Sequence, residues 1–331
     1  MSVDLQPLAN QHDLIFKIPL KVRLGHRFQP TGFPDLGAAV FETVDGTSLL
    51  VESAQSMANR LEGVCWDESE NDLIGCLRGL SYVKVVLPSE TGEPPFLTSS
   101  VIDSHRLNSP YILESRDKTL FNQIQSELGG LAKGPINRKA LATTLLKYDV
   151  GSLIHGVFLA KKELAGGRLR IARALTAFIE ADRASVAASG GSKQDHVDPT
   201  GEAFDQGGAA KGFGHIPFPR DEYTAPDITL FASLDLSQIR GYGLGDDATR
   251  MLMLLSLYKL RAFIESPMRL RTACMFERKG TGDIPSLNID KFNLPDSKAL
   301  EADLPLIIDK LTKGGAFAGT RGVSKATFKS T

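Results

Sequence analysis

The stretch from Leu14 to Leu24 alternates from Phe16 onward. Phe16, Ile18, Leu20, Val22 and Leu24 are apolar, Lys17, Lys21 and Arg23 are basic, and Pro19 stands among them. A period of two sends successive side chains to opposite faces of a strand. One face is therefore apolar and the other basic. A one-sided strand of this kind needs cover on its apolar face, which points to a small antiparallel sheet with helices behind it. Pro19 has no N–H to donate, so the strand lies at a sheet edge or turns that atom away from a partner.

Further elements follow the same logic. Ser48–Val51 reads as a short strand and Ser53–Glu62 as a helix with Ser53 as N-cap, on which Gln55, Asn59 and Glu62 form one polar stripe. Trp66–Asp72 reads as a solvated acidic turn and Tyr82–Leu87 as a strand closed by Pro88. Lys118–Leu131 and Arg138–Leu146 read as helices, Val157–Glu163 as a short helix, and Arg168–Arg183 as a helix with Ile171, Leu175, Phe178 and Ile179 on its apolar stripe. Ser189–Pro219 is rich in glycine and too long for an ordinary connection, so it is disordered or functional. Asp227–Leu236 is a strand, Gly241–Gly245 a turn and Thr249–Glu265 a buried helix. Met268–Phe276 is a last strand that puts Arg269 and Arg271 on one face. The tail from Lys313 holds Lys313, Arg321, Lys325 and Lys329 without an acid, and its composition suggests disorder.

Two strands far apart in sequence thus each carry basic residues on one face. A ferredoxin-like sheet of this kind is a common platform for RNA, with phosphates on the basic face. Any half-solvated antiparallel strand also has a polar face, so alternation by itself leaves both readings open. The formal net charge of −1 does not decide the matter, because basic groups can still gather on one surface.

Other classes have less behind them. No run of about 18 apolar residues spans a membrane, and the N-terminal residues lack a signal pattern, so the expected location is the cytoplasm. Three cysteines and six scattered histidines give neither a disulfide framework nor a zinc site, and no cofactor is expected. Asp246 and Asp247 follow a glycine turn, where capping of a helix start explains them better than a metal nuclease. Gly241-x-Gly243-x-Gly245 lacks the spacing of a nucleotide site. His26, His105, His155 and His215 each lie near Arg or Lys. This keeps open a metal-independent ribonuclease, for which histidine would be the base.

Seven stretches are more specific than any pattern. They are Arg27–Gly37, Ser53–Glu62, His105–Ile112, Ser152–Phe158, Arg168–Glu180, Gly214–Phe218 and Leu270–Cys274. Together and in this order they resemble the backbone subunit of the type I-U/I-G CRISPR interference (Cascade) complex, a RAMP-superfamily protein. The resemblance implies an α+β fold: a modified RRM/ferredoxin-like antiparallel sheet with helical insertions and a protruding thumb-like hairpin. It places a palm at about 13–88 and 227–280, an inserted helical region at about 89–188, a glycine-rich thumb at 189–222 and a basic flexible tail at 313–331.

The role implied is non-catalytic. Such subunits bind the CRISPR guide RNA in several copies that line up as a helical filament, beside other subunits of the complex. Target DNA is reached through pairing with the guide. The expected phosphate contacts are Arg23, Arg27, Arg168, Arg170, Arg269 and Arg271. Gln55, Asn59 and Arg60 are expected to bond phosphate or ribose, or to pack on a neighbouring subunit. His105 and Arg106 sit in a strong motif and either contact RNA or hold a loop together. Lys193, Lys211 and His215 would reach across the guide from the thumb, where Phe213 would wedge into RNA or pack internally. The alternative is a metal-independent endoribonuclease that processes precursor CRISPR RNA.

Overall fold

The structure is a computed structural model. It describes residues 2–33, 37–115, 117–200, 211 and 213–328. Parts of three expectations lie outside the described residues: 34–36 of the first motif, 201–210 and 212 of the glycine-rich stretch, and 329–331 of the tail.

The alternating stretch forms the strand Asp13–Val22. Leu14, Phe16, Ile18 and Leu20 are buried while Lys17, Pro19 and Lys21 are exposed. It lies inside a seven-stranded sheet, not at its edge. In spatial order the sheet runs Met268–Arg271, Cys274–Arg278, Asp13–Val22, Asp227–Asp235, Leu175–Asp182, Gly46–Glu52 and Val40–Thr43. Every neighbouring pair is antiparallel. Pro19 is accommodated by geometry. Its carbonyl accepts from Lys279 N at 2.9 Å, so its nitrogen faces that same side, where regular pairing with Cys274–Arg278 begins only at Leu20.

Helices cover the apolar face. The helix Asp246–Glu265 is buried along most of its length and packs on Ser297–Lys313 and on Ala54–Gly63. Ser53 caps Ala54–Gly63 by accepting from Ser56 N, and Asp246 and Asp247 occupy the first turn of the long helix, where acids complement the helix dipole. Thr119–Leu128 and Arg138–Tyr148 are helices near their expected bounds.

Four expectations change. Arg168–Arg183 is not a helix. It holds the strands Leu169–Ile171 and Leu175–Asp182, the latter pairing with Asp227–Asp235 over its whole length. Val157–Glu163 begins as the strand Val157–Leu159, which pairs with Leu169–Ile171 as a short ribbon. Met268–Phe276 is a hairpin of two strands, turned at Thr272 and Ala273. The tail carries the strand Val323–Thr327, which pairs in parallel with Tyr82–Val86. Ordered backbone replaces the expected disorder there because those carbonyls and N–H groups find partners in a sheet.

From the far end of Leu175–Asp182 and Asp227–Asp235 springs a second hairpin, Ser185–Lys193 with Ile216–Thr224. Most of its residues are exposed. Arg183 pairs with Asp227 at its base. Among the described residues no helix is long and apolar enough to cross a membrane.

Candidate nucleic-acid interface

At the opposite end of those two strands lies a cleft of roughly 1730 Å³. It runs between the short ribbon, the 3₁₀ turn Arg106–Asn108, the start of the helix Arg138–Tyr148 and the strand end at Asp235. Two glycines fix the ribbon at its wall. Gly156 has φ +78°, and a Cβ there would stand 2.9 Å from the Ile171 carbonyl oxygen. Gly167 has φ +67°, and a Cβ would meet the Ala160 carbonyl oxygen at 2.5 Å. No other residue fits either position without moving backbone.

The cleft gathers Gln55, His105, Arg106, Arg168 and Arg170 from three of the seven motifs. It adds Arg138 and Arg173, which the sequence reading passed over. Arg168 donates to the carbonyls of Leu131 and Gly134 at 2.7 and 2.8 Å. Arg173 donates to the His155 carbonyl and, at 2.7 Å, to Gln55 Oε1. Among the described residues none of Arg138, Arg168, Arg170 and Arg173 makes an ion pair with a carboxylate. Burial, with Arg106 nearby, holds the Arg173 guanidinium below its usual range, though a guanidinium stays charged. Among the described residues Asp235 is the one carboxylate lining the cleft, and it caps a helix by accepting from Gln238 N. The wall is therefore a field of positive charge with little to neutralise it.

Arg106 is different. Its Nε and Nη2 grip both oxygens of Glu62 at 3.0 and 2.6 Å, and both side chains are buried. Burial pushes the Glu62 carboxyl up to about 7 against the pull of Arg106. The charge of Arg106 is therefore engaged inside the fold. Beside this pair, Lys259 Nζ lies 3.0 Å from His155 Nε2. The ammonium can only donate, so Nε2 accepts and the proton sits on Nδ1, which has no partner among the described residues. Burial, then Lys259, Arg106 and Arg173, hold His155 well below its ordinary range and keep it neutral. His105 is exposed. Its backbone N donates to Asp103 Oδ1 at 2.8 Å and its ring lies 3.2 Å from the same oxygen, which is the locally bonded loop.

The remaining expected residues lie elsewhere. Three carboxylates each hold two cations. Glu277 holds Lys21 and Arg23, Glu222 holds Arg27 and Arg220, and buried Glu52 holds Arg60 and Arg271. Arg60 and Arg271 thus pin the helix Ala54–Gly63 and the edge strand to the sheet, with their charge already engaged. Arg269 is exposed on that edge strand, and Asn59 is exposed and accepts from Gln55 at 3.4 Å. Lys193 and Lys211 are exposed at the far part of the second hairpin, and His215 Nδ1 there accepts from Asp195 N at 3.1 Å. The pairing runs from Leu175↔Leu234 beside the cleft to Asp182↔Asp227 at the hairpin base. Seven residue steps of roughly 3.3 Å separate the two regions by about 23 Å.

A model of the family described as CRISPR-associated protein GSU0053 matches residues 14–186, more than half of the chain. The chain belongs to this CRISPR-associated family. The matched range includes the ribbon, Arg106, Arg138, Arg168, Arg170 and Arg173. Similar solved structures include a chain of a CRISPR RNA-guided surveillance complex, pre-nicking, with 13% identity and TM-score 0.40, covering 80% of this chain and 73% of that one. Another is the crystal structure of Thermofilum pendens Csc2, with 10% identity and TM-score 0.32, covering 94% and 80%. Both likenesses are too remote to assign a role. No curated protein matches the sequence.

Proposed function

We propose that this family member is a non-catalytic guide-RNA-binding subunit of a type I-U/I-G interference complex, with copies lined up along the guide as its backbone. The observation that carries this is the cleft wall of Arg138, Arg168, Arg170 and Arg173, four guanidinium groups without carboxylate partners among the described residues of a CRISPR-associated chain. Guanidinium forks suit phosphate oxygens. A subunit serving any guide holds backbone and shape, while pairing with target DNA reads the sequence.

The sheet supports an RRM-like palm. Taking Asp13–Val22, Leu175–Asp182, Asp227–Asp235 and Cys274–Arg278 as strands one to four, their spatial order is 4-1-3-2, as in a ferredoxin-like sheet. The second hairpin is then an insertion between strands two and three and takes the part of the thumb. Its separation from the cleft makes the subunit polar along one axis. Head-to-tail contacts between such subunits build an open filament rather than a closed ring. Lys193, Lys211 and His215 would act at that hairpin, Arg23, Arg27 and Arg269 on the flank between hairpin and sheet edge.

The test is binding of guide-length single-stranded RNA across a salt series, with the complex sized. Binding should weaken by a log–log slope of about −0.7 for each phosphate contacted, and longer RNA should recruit copies in steps. Arg168→Glu with Arg170→Glu should remove binding without unfolding the protein. Wild-type affinity in that variant would sink the reading. One observation favours the endoribonuclease alternative: exposed His105 stands against Asp103 at the cleft. Site-specific cleavage of precursor RNA in EDTA, lost in His105→Ala, would replace the backbone reading with it.

A further inference from the structure

We infer that the cleft holds a stacking subsite for one unpaired nucleobase, built on Phe158 and Arg170. The inference rests on the RNA-binding reading and adds to it which chemical part of the strand is gripped besides phosphate.

Phe158 sits at the centre of the strand Val157–Leu159. Its neighbours Val157 and Leu159 point into the core, while Phe158 is 53% exposed. A single exposed phenylalanine is ordinary on a protein surface. This one lines a cleft beside four arginines that have no carboxylate partner among the described residues, with about half of its surface open to that space. Among the described residues its ring stacks on no other aromatic and carries no cation over its face. Five aromatic pairs and five cation–ring contacts do occur among those residues.

Its direct cross-strand partner is Arg170. Opposed residues of an antiparallel pair share a face, with Cβ atoms about 5 Å apart. A flat ring and a flat guanidinium are therefore presented side by side on one wall. Both surfaces stack on nucleobases, and neither asks which base it is, because every base has a π-face. This fits a protein that serves guides of any sequence. Gln55, Asn108 and Gln238 line the same cleft and bring amide groups that can bond a base edge or ribose. Gly156 and Gly167 let the ribbon lie directly against the backbone carbonyls of Ile171 and Ala160, which sets where the platform stands in the wall.

The experiment compares wild type, Phe158→Ala and Phe158→Trp on guide-length RNA, intact and with abasic sites at successive positions. Stacking contributes about 1–3 kcal/mol per base, so Phe158→Ala should weaken intact RNA about 5- to 150-fold. Its salt slope should match wild type, since no cation is lost. Phe158→Trp should bind as wild type or better. Abasic RNA should weaken wild type and leave Phe158→Ala unaffected. The inference is overturned if Phe158→Ala binds as wild type. It is also overturned if the loss persists equally on abasic RNA, or if only stepwise assembly on long RNA is lost, which would make the ring a contact between copies. Absence of any RNA binding by folded wild type would instead bring down the underlying reading.

Discussion

Replacing Arg106 by methionine separates a fold role from an RNA role. The guanidinium and Glu62 are 5% and 2% exposed, and both carboxylate oxygens are gripped. Removing one partner of so buried a pair leaves an unpaired charge and costs about 3–5 kcal/mol. Methionine keeps the length of the side chain, and Arg106 already sits at φ +53°, so the change adds no new backbone demand. Urea unfolding of wild type, Arg106→Met, Glu62→Gln and the double variant gives the coupling, which should reach about 2 kcal/mol or more. The pH dependence has a definite sign. The Glu62 carboxyl stands at about 7 in the folded protein against an ordinary 4.5. Its contribution to stability is full below 4.5, falls as pH rises, and levels above about 7. Without Arg106 the carboxyl rises further and the fall continues beyond 7. The gap between wild type and variant should therefore be wider at pH 8.5 than at pH 6. Below its melting temperature the variant should keep the salt slope of RNA binding. An Arg106→Met protein as stable as wild type but unable to bind RNA would refute the reasoning.

Three further outcomes follow from the same geometry. Glu52→Gln strips the shared partner of Arg60 and Arg271, which are 27% and 24% exposed. It should cost about 3 kcal/mol in denaturant unfolding, the low end for a broken buried pair. Gly167→Ala forces a left-handed alanine against the Ala160 carbonyl and should cost at least about 1–2 kcal/mol, read as a lowered melting temperature, whereas Gly166→Ala meets open space and should cost less. Arg138→Gln with Arg173→Gln should reduce the salt slope of RNA binding by about 1.4, two phosphates' worth, and an unchanged slope would place the strand elsewhere.

Where period and burial coincided, the fold was legible. Phe16–Val22 showed its two faces because the inward side chains are large and two of the three outward ones, Lys17 and Lys21, are charged. Leu175–Asp182 hid the same alternation. Its inward residues are Leu175, Ala177, Ile179 and Ala181, and the two alanines count for little beside the outward Phe178. Leu175, Phe178 and Ile179 then mimic a helical stripe. The turn at Thr272–Ala273 has no glycine or asparagine to announce it, although Ala273 takes φ +55°. The strand Val323–Thr327 needs a partner some 240 residues earlier, which no local pattern reveals. At the site, the motifs brought Gln55, His105, Arg168 and Arg170 to one cleft. Arginine type alone could not tell Arg106, clamped on a buried acid, from Arg173, which pairs with none among the described residues. That distinction depends on where Glu62 and Glu52 are folded to.

The first strand waits a long time for its neighbours. Leu14 pairs with Leu234 and Val22 with Phe276, so roughly 220 residues must be translated before either flank of the strand is covered. At 5–20 residues per second, that leaves the apolar side of Phe16, Ile18 and Leu20 open for about 10–45 s on the ribosome. Growth of the chain, rather than the search for a turn, sets the earliest moment at which the sheet can close. Lys17 and Lys21, set between those apolar residues, are the charges that keep the nascent strand from pairing with another of its kind.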